Sequence, residues 1–244
     1  MPEGPSLLIL KEKINELHLE GQTIESASGS AEIDLEKIIG KKINTIKTWG
    51  KHFLICMPDL TIRIHLMMFG TYLINERKST PLKLSLAISD TELNFYTCVV
   101  KLIEGDINKV YDWDADIMSD TWNQSNAIKK IQAEGKAFIC DLLLDQNIFS
   151  GVGNIIKNEA LYRARIHPLS TTANLPLSKL KLLIMETRAY SFDFLKWRKQ
   201  GTLSRHWEVY NRKTCPQGHP IEKINIGKNK RSSFVCIVCQ QKYS

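Results

Sequence analysis

A chain of 244 residues with 43% hydrophobic and 24% charged residues has the composition of a globular protein with one large or two modest domains. No apolar run approaches the roughly 20 residues that cross a bilayer, and the N-terminus lacks the basic-then-apolar pattern of a secretory signal. Composition therefore argues against fibrous and membrane-spanning classes, and we expect a cytoplasmic protein without a membrane partner.

Positive charge is concentrated at the C-terminal end of the chain. Residues 196–244 contain eleven lysines and arginines against two glutamates, a net charge of +9, which leaves −2 of the total of +7 for residues 1–195. Such a concentration indicates a polyanionic partner, with nucleic acid as the leading candidate. A solvated basic surface is the alternative that charge alone leaves open.

The N-terminal sequence offers a nucleophile. Removal of Met1, which a small following residue favours, exposes the secondary amine of Pro2 beside the carboxylate of Glu3. An α-amino group titrates near pH ~8, so roughly a tenth is neutral at pH 7 and able to attack an aldehyde carbon to form an iminium. Glu3 could move protons during that reaction. A frayed terminus without a function is the alternative.

The first part of the chain combines one helix with short strands. Residues 5–20 carry apolar side chains at helical spacing, and Gly21 ends the pattern. The period then changes to two, and turn residues separate predicted strands at 43–46, 52–56, 61–66, 84–88 and 93–96. This spacing predicts a β-sandwich. In the strand at 61–66 we expect the isoleucines to face the core and Arg63 and His65 to lie on the open face.

After about residue 115 the pattern becomes helical. Residues 116–126 are polar and predict a linker. Helical periodicity covers 136–145, 154–164 and 177–199. Gly151 and Gly153 precede the second of these helices, where unobstructed backbone amides would suit a phosphate. The glycine pair alone is a weak signal, because most such glycines serve only a tight turn.

Four of the last thirty residues form a metal-ligand pattern. They are Cys215, His219, Cys236 and Cys239. Soft ligands in two short pairs, Cys-x3-His and Cys-x2-Cys, predict tetrahedral Zn²⁺, and four protein ligands indicate a structural rather than a catalytic ion. The other three cysteines are dispersed among apolar residues and are interpreted as small buried hydrophobes.

Several short motifs together resemble one family of DNA-repair enzymes. They are Pro2-Glu3-Gly4-Pro5, Gly50-Lys51, His65-Leu66-Met67-Met68-Phe69-Gly70, Gly151-Val152-Gly153-Asn154 with Glu159 and His167-Pro168, and the terminal ligand cluster. Over essentially its whole length the chain is similar to the formamidopyrimidine-DNA glycosylase and endonuclease VIII family. Each motif alone is weak, whereas five in the same order are specific. The block around Gly151 resembles the helix–two-turn–helix element of that family.

The resemblance implies a bifunctional DNA glycosylase and abasic-site (AP) lyase of base-excision repair. Pro2 would attack C1′ of the damaged nucleotide, Glu3 would act as acid and base, and Lys51 would contact the phosphate next to the lesion. The iminium adduct would then lose both phosphates by successive β and δ elimination. Further phosphate contacts are implied for His65, Asn154 and Arg231.

Met67, Met68 and Phe69 form an apolar run at a predicted loop tip. An enzyme that extrudes a nucleotide must fill the vacated stack, and apolar wedges do this. Continuation of the strand into the core is the alternative, against which the Gly70 turn argues. A contiguous wedge, with the Pro-Glu-Gly-Pro start, resembles the endonuclease VIII branch and favours oxidised pyrimidines as substrates.

The resulting expectation is an α+β multidomain protein. Its parts are a catalytic β-sandwich with an N-terminal helix at 1–115, a linker at 116–126, a helix–two-turn–helix domain at 127–205 and a zinc ribbon at 206–244. The expected partner is double-stranded DNA with damaged bases or abasic sites, bound by a monomer associated with the nucleoid.

Two residues depart from the family pattern. Ser6 stands where the family usually has a second glutamate that helps to hold the damaged nucleoside, and His219 replaces a ribbon cysteine. The first change motivates one alternative, a non-catalytic binder of damaged or bent duplex DNA. A glycosylase for oxidised purines, of the formamidopyrimidine type, is a second alternative.

Overall fold

The chain folds into two compact units, Met1–Asp112 and Trp113–Ser244, each with a hydrophobic core of its own. The structure is a computed structural model that describes residues 2–228 and 230–244, so Met1 and Asn229 lie outside the described residues. Within those ranges, no helix combines the length and the apolar character that a membrane span requires.

Unit 1 is a β-sandwich of two four-stranded antiparallel sheets with one N-terminal helix. In chain order its elements are α1 (Gly4–Asn15), β1 (Ile24–Ser28), β2 (Thr45–Trp49), β3 (His52–Cys56), β4 (Leu60–His65), β5 (Thr71–Ile74), β6 (Leu82–Ile88), β7 (Thr91–Tyr96) and β8 (Val99–Glu104). The strand orders are β1-β6-β7-β5 and β2-β3-β4-β8. This arrangement confirms the predicted sandwich and N-terminal helix.

The two faces of the β2-β3-β4-β8 sheet have different compositions. Phe53 of β3 pairs with Ile64 of β4, and both are fully buried in the sandwich core with Ile62. On the opposite face, Arg63 and His65 are half-buried. Alternation along a strand places these polar residues together on the outer face, as the sequence predicted.

Some predicted elements differ from the structure. The first predicted strand, 43–46, lies at Thr45–Trp49, and β1, β5 and β8 were not predicted. Five residues of β1 include only one buried side chain, and all four of β5 are at least partly exposed. Edge strands with so little burial lack the alternating apolar pattern on which a sequence prediction depends.

The described residues of unit 2 form four α-helices and a two-stranded hairpin. They are α2 (Gln124–Ala133), α3 (Ile139–Leu142), α4 (Asn154–Arg163), α5 (Leu177–Lys199), β9 (Glu222–Ile226) and β10 (Arg231–Val235). The helix predicted at 136–145 is only one turn long, because Gly135 leaves α2 with a φ of +54° and α3 begins after Phe138. The stretch 116–126, predicted as a linker, includes the start of α2 and the fully buried Ile117.

A buried carboxylate fixes the segment that leads from the helices to the ribbon. Glu159 of α4 accepts three backbone N–H groups, from Glu208 (2.8 Å), Val209 (3.1 Å) and Tyr210 (2.7 Å). Burial raises the pKa of Glu159 to about 7, while these three donors act to lower it. One helical side chain therefore satisfies three consecutive amides that would otherwise be buried without partners.

Candidate nucleic-acid interface and metal site

The N-terminal pair lies at the start of α1. Pro2 is half-buried, and Glu3 is the N-cap residue of the helix with a fully buried side chain. Its backbone oxygen accepts the N–H of Ser6 at 2.8 Å, which closes the first turn. The positive end of a helix favours a carboxylate. A nucleophile at Pro2 would thus have an acid–base group one residue away on a rigid element.

Lys51 lies in a two-residue turn between β2 and β3. Trp49 pairs with His52 across the turn, and Gly50 has a φ of +52°, which favours glycine. The lysine is half-buried, and its charge contributes to lowering the pKa of both His52 and His65. The hairpin therefore holds the Lys51 ammonium beside two imidazoles on the outer face of the sheet.

Both imidazoles are neutral at pH 7. Burial, followed by the charges of Arg63, His65 and Lys51, lowers the pKa of His52 to about 3. Burial and the charges of Lys51 and Arg63 also lower the pKa of His65. The two rings meet in a T-shaped arrangement with centroids 5.5 Å apart. The His65 ring nitrogens hydrogen bond to none of the described residues, so they remain available to a ligand.

Sequence reasoning missed His52, Trp49 and Tyr111, which complete this outer-face cluster. The Tyr111 ring lies 4.9 Å from Trp49 and 5.8 Å from His52, and Trp49 Nε1 donates to the backbone oxygen of Asp112 at 2.8 Å. The pairing of β3 with β4, which places His52 opposite His65, was the signal that could have identified His52. Nothing in the sequence indicated that Tyr111 would pack on this face.

The apolar run after β4 forms an exposed turn. Met67, Met68 and Phe69 are 45%, 46% and 76% exposed, so the alternative in which they enter the core does not hold. A Cβ on Gly70 would lie 1.8 Å from the backbone oxygen of Leu66, which only glycine avoids. The turn thus presents three large apolar side chains to solvent, an arrangement that in soluble proteins often marks an interaction site.

In unit 2 the structure brings Asn154 close to the strand that begins at Arg231. Asn154 is the first residue of α4, and its Nδ2 donates to the backbone oxygen of Ser232 at 3.0 Å. Its Oδ1 is buried without a hydrogen-bond partner. Arg231 directly precedes Ser232, and its side chain is exposed. The start of α4 and the start of β10 therefore lie next to each other, with the Asn154 side chain buried and the Arg231 side chain exposed.

Two further residues of α4, which sequence reasoning missed, fasten the same strand. Lys157 is 1% exposed, and its ammonium donates to the Ser232 backbone oxygen (3.2 Å) and to Ser233 Oγ (2.9 Å). Asn158 accepts the N–H of Phe234 at 2.8 Å. Polar residues at consecutive positions of a short helix gave no distinct signal, because their partners are more than 70 residues away.

The four predicted metal ligands converge at the base of the ribbon. The ligand atoms of Cys215, His219, Cys236 and Cys239 all lie within 4.8 Å of one another. Sγ of Cys215 is 3.7 Å from Sγ of Cys236, and Nδ1 of His219 is 3.6 Å and 3.3 Å from Sγ of Cys215 and Cys239. Tetrahedral zinc, with Zn–S of about 2.3 Å and Zn–N of about 2.0 Å, requires separations of about 3.5–3.8 Å. The donor set and its spacing fit a structural zinc ion.

Comparison with known proteins identifies two domains in the same order as the two units. Residues 1–98 match the formamidopyrimidine-DNA glycosylase N-terminal domain, and residues 115–192 match the formamidopyrimidine-DNA glycosylase H2TH domain. Among solved structures, a viral DNA glycosylase superposes with a TM-score of 0.86 at 24% identity, covering 98% of this chain and all of that one. A Lactococcus lactis formamidopyrimidine-DNA glycosylase bound to DNA with an abasic site gives 0.85 at 24% identity, covering 98% of this chain and all of that one. These likenesses show the fold.

Curated relatives extend the match over the whole chain. Endonuclease 8-like 3 of Mus musculus is 28% identical over 99% of this chain and 46% of its own length. Endonuclease 8-like 2 of Bos taurus is 40% identical over 53% of this chain and 40% of its own length. The chain thus spans less than half the length of these relatives. The paired domain signatures and the endonuclease 8-like matches show that the chain belongs to the formamidopyrimidine-DNA glycosylase and endonuclease VIII family.

Proposed function

We propose that the protein is a bifunctional DNA glycosylase and AP lyase of base-excision repair. The observation that carries this proposal is the position of Pro2 and Glu3: a potential amine nucleophile joined to a buried carboxylate at the start of α1. The endonuclease 8-like names of the relatives and the abasic-site DNA bound to the Lactococcus lactis protein support the assignment. A protein that only binds DNA has no need of a nucleophile held in this way.

The proposed chemistry begins at the amine. After removal of Met1, the Pro2 nitrogen attacks C1′ as the bond from C1′ to the damaged base breaks, and the base departs with a proton. Glu3 protonates O4′ as the sugar ring opens, which leaves a cationic iminium between Pro2 and C1′. Loss of a C2′ proton then expels the 3′ phosphate, and a second elimination expels the 5′ phosphate. Water hydrolyses the adduct and restores the amine.

Lys51 and His65 bind the phosphates next to the lesion in this proposal. The hairpin turn holds the lysine as a cation, and the neutral His65 ring has both nitrogens available. Asn154 and Arg231 contribute phosphate contacts from unit 2, where the basic ribbon supplies the net charge for salt-dependent affinity. Met67, Met68 and Phe69 fill the stack that the extruded nucleotide leaves.

The proposed substrate is double-stranded DNA with oxidised bases, with pyrimidines preferred, and the proposed cofactor is a structural Zn²⁺ held by Cys215, His219, Cys236 and Cys239. The contiguous apolar turn supports the endonuclease VIII-like preference. Zinc would hold together a ribbon whose own core is too small to fold alone.

Borohydride trapping tests the proposal. We expect the protein, incubated with a duplex that contains one abasic site and then reduced, to form a covalent protein–DNA adduct that migrates slowly on a denaturing gel. An intact duplex of the same sequence is the control and should give none. Specific binding of the abasic duplex without any adduct would contradict the enzyme and support a non-catalytic binder of damaged DNA.

A further inference from the structure

The outer face of the β2-β3-β4-β8 sheet carries a hydrogen-bonded pair that the proposed chemistry does not use. Tyr111 Oη lies 3.2 Å from Nδ1 of His52, and the two rings meet edge to face. His52 is the first residue of β3, directly after Lys51, and pairs across the sheet with His65. Because Tyr111 contacts one ring nitrogen of His52, only the other ring nitrogen can contact a ligand.

The hydrogen of this bond can belong either to Tyr111 Oη or to His52 Nδ1, and the surroundings of Tyr111 decide between them. Burial raises the pKa of Tyr111, so the phenol keeps its proton at neutral pH, while the charge of Arg63 acts in the opposite direction. Between a phenol and a neutral imidazole, the phenol O–H is the stronger donor and the imidazole nitrogen the stronger acceptor, so the Tyr111 O–H is directed to an imidazole acceptor. That acceptor is Nδ1 of His52, since the imidazole is neutral and one of its nitrogens has a lone pair.

The second ring nitrogen of His52 must then carry the hydrogen. Nε2 hydrogen bonds to none of the described residues, and the ring keeps part of its surface exposed. The groups that face His52 are Trp49 from β2, Lys51 from the turn, Arg63 and His65 from β4, and Tyr111. Two of these groups, Lys51 and Arg63, are cations, an environment that favours an anion.

We propose that Tyr111 holds His52 as the neutral Nε2–H tautomer and thereby makes it an uncharged hydrogen-bond donor to the DNA phosphate bound by Lys51 and His65. The inference rests on the proposed function only in taking a DNA phosphate as the ligand of this face. A neutral donor with a fixed tautomer does not require the transfer of a proton when DNA binds. His52 acts as a binding residue, and Tyr111 acts through it as a positioning residue.

Nitrogen-15 NMR of histidine-labelled protein reads the tautomer directly. The chain has six histidines, so the spectrum is simple, and a His52→Gln sample assigns the His52 signals. We expect His52 at pH 7 to show an unprotonated Nδ1 and a protonated Nε2. Tyr111→Phe removes only the hydroxyl and should give a mixture of tautomers, whereas Tyr243→Phe, which removes a hydroxyl bonded to Gln241, should leave the His52 signals unchanged. A protonated Nδ1 in the unmodified protein would overturn the inference.

Binding of an abasic-site duplex supplies the second readout. A glutamine at 52 places its amide N–H near the position of Nε2, whereas an asparagine places it near Nδ1. We expect His52→Gln to bind within twofold of the unmodified protein, and His52→Asn and Tyr111→Phe to bind about fivefold more weakly, the effect of one hydrogen bond. Equal binding by all three variants would overturn the role of His52. If these results hold but borohydride yields no adduct, the proposed enzyme fails while the inference stands.

Discussion

The two units present their candidate DNA-binding residues in different ways. In unit 1, strand register and a two-residue turn place Lys51, His52 and His65 on one sheet face, where Tyr111 hydrogen bonds to His52. In unit 2, the position of Arg231 depends on α4 side chains more than 70 residues away and on the four ligands at the base of the ribbon. The first surface is built on a sandwich core, whereas the second depends on a few polar contacts and on the four side chains proposed to bind zinc. Unit 2 should therefore be the easier one to disrupt.

Loss of a metal ligand should produce the largest effect. Cys236→Ser removes a fully buried ligand, and we expect the ribbon to unfold locally while unit 1 keeps its structure. Affinity for duplex DNA should fall about 100-fold, because the ribbon carries several of the basic residues that release counterions. Fluorescence anisotropy measures the affinity, and hydrogen exchange shows where the protein unfolds. Cys98→Ala, in the core of unit 1, is the control. Unchanged duplex affinity in Cys236→Ser would contradict the claim that the DNA-binding surface of unit 2 depends on the proposed metal ligands.

Removal of the wedge should affect one activity more than the other. Replacing Met67, Met68 and Phe69 with alanine should slow excision of a paired oxidised base about 100-fold, because unstacking costs a few kcal/mol, and should slow cleavage at a preformed abasic site much less. Single-turnover rates on the two duplexes provide the comparison.

The matched control for the wedge replaces three exposed apolar residues of α5, Leu177, Met185 and Phe192, with alanine. This control should leave both rates unchanged. Equal losses in both activities of the wedge variant, accompanied by a lower Tm, would show that the turn supports the fold instead.

Substitution of the buried Lys157 tests whether its hydrogen bonds hold the ribbon in position. Lys157→Met keeps the length of the side chain but removes the donor to Ser232 and Ser233, so Arg231 should lose its fixed position. We expect about tenfold weaker duplex binding, in line with the loss of one charged hydrogen-bonding group. Lys129→Met, on the exposed surface of α2, is the control.

A double-mutant cycle with Arg231→Ala makes the Lys157 test specific. If Lys157 acts by positioning Arg231, the second substitution should add little to the first. Fully additive losses would mean that the two residues bind DNA independently.

The pH dependence of binding should be the smallest effect. Burial and the nearby Lys51 and Arg63 lower the pKa of His65 in the free protein, and a bound phosphate would raise it. Binding then takes up a fraction of a proton, so affinity should rise severalfold as the pH falls from 7.5 to 5.5. Isothermal titration in buffers of different ionisation enthalpy measures the uptake, and His65→Gln should reduce it. The same uptake in both proteins would assign it to another group, with Glu159 of unit 2 the first candidate.

Much of the fold followed from periodicity, because strands such as β3 and β4 and the helices α4 and α5 have long or strongly alternating apolar patterns. The metal ligands followed from their spacing. The contacts of Tyr111 with His52 and of Lys157 with Ser233 did not, because each joins residues about 60 or more positions apart and neither changes a local pattern. Tertiary packing decides such contacts, and a single sequence contains no record of it.

The central claim, that Pro2 is the nucleophile, is tested most directly by locating the trapped adduct. After borohydride reduction with abasic-site DNA, nuclease and protease digestion followed by mass spectrometry should find the sugar remnant on the nitrogen of the N-terminal peptide that begins at Pro2. Protein that retains Met1 should form far less of this adduct at similar DNA affinity, because binding is spread over several phosphates. A remnant on Lys51 or another lysine, in equal yield with Met1 retained, would contradict the account.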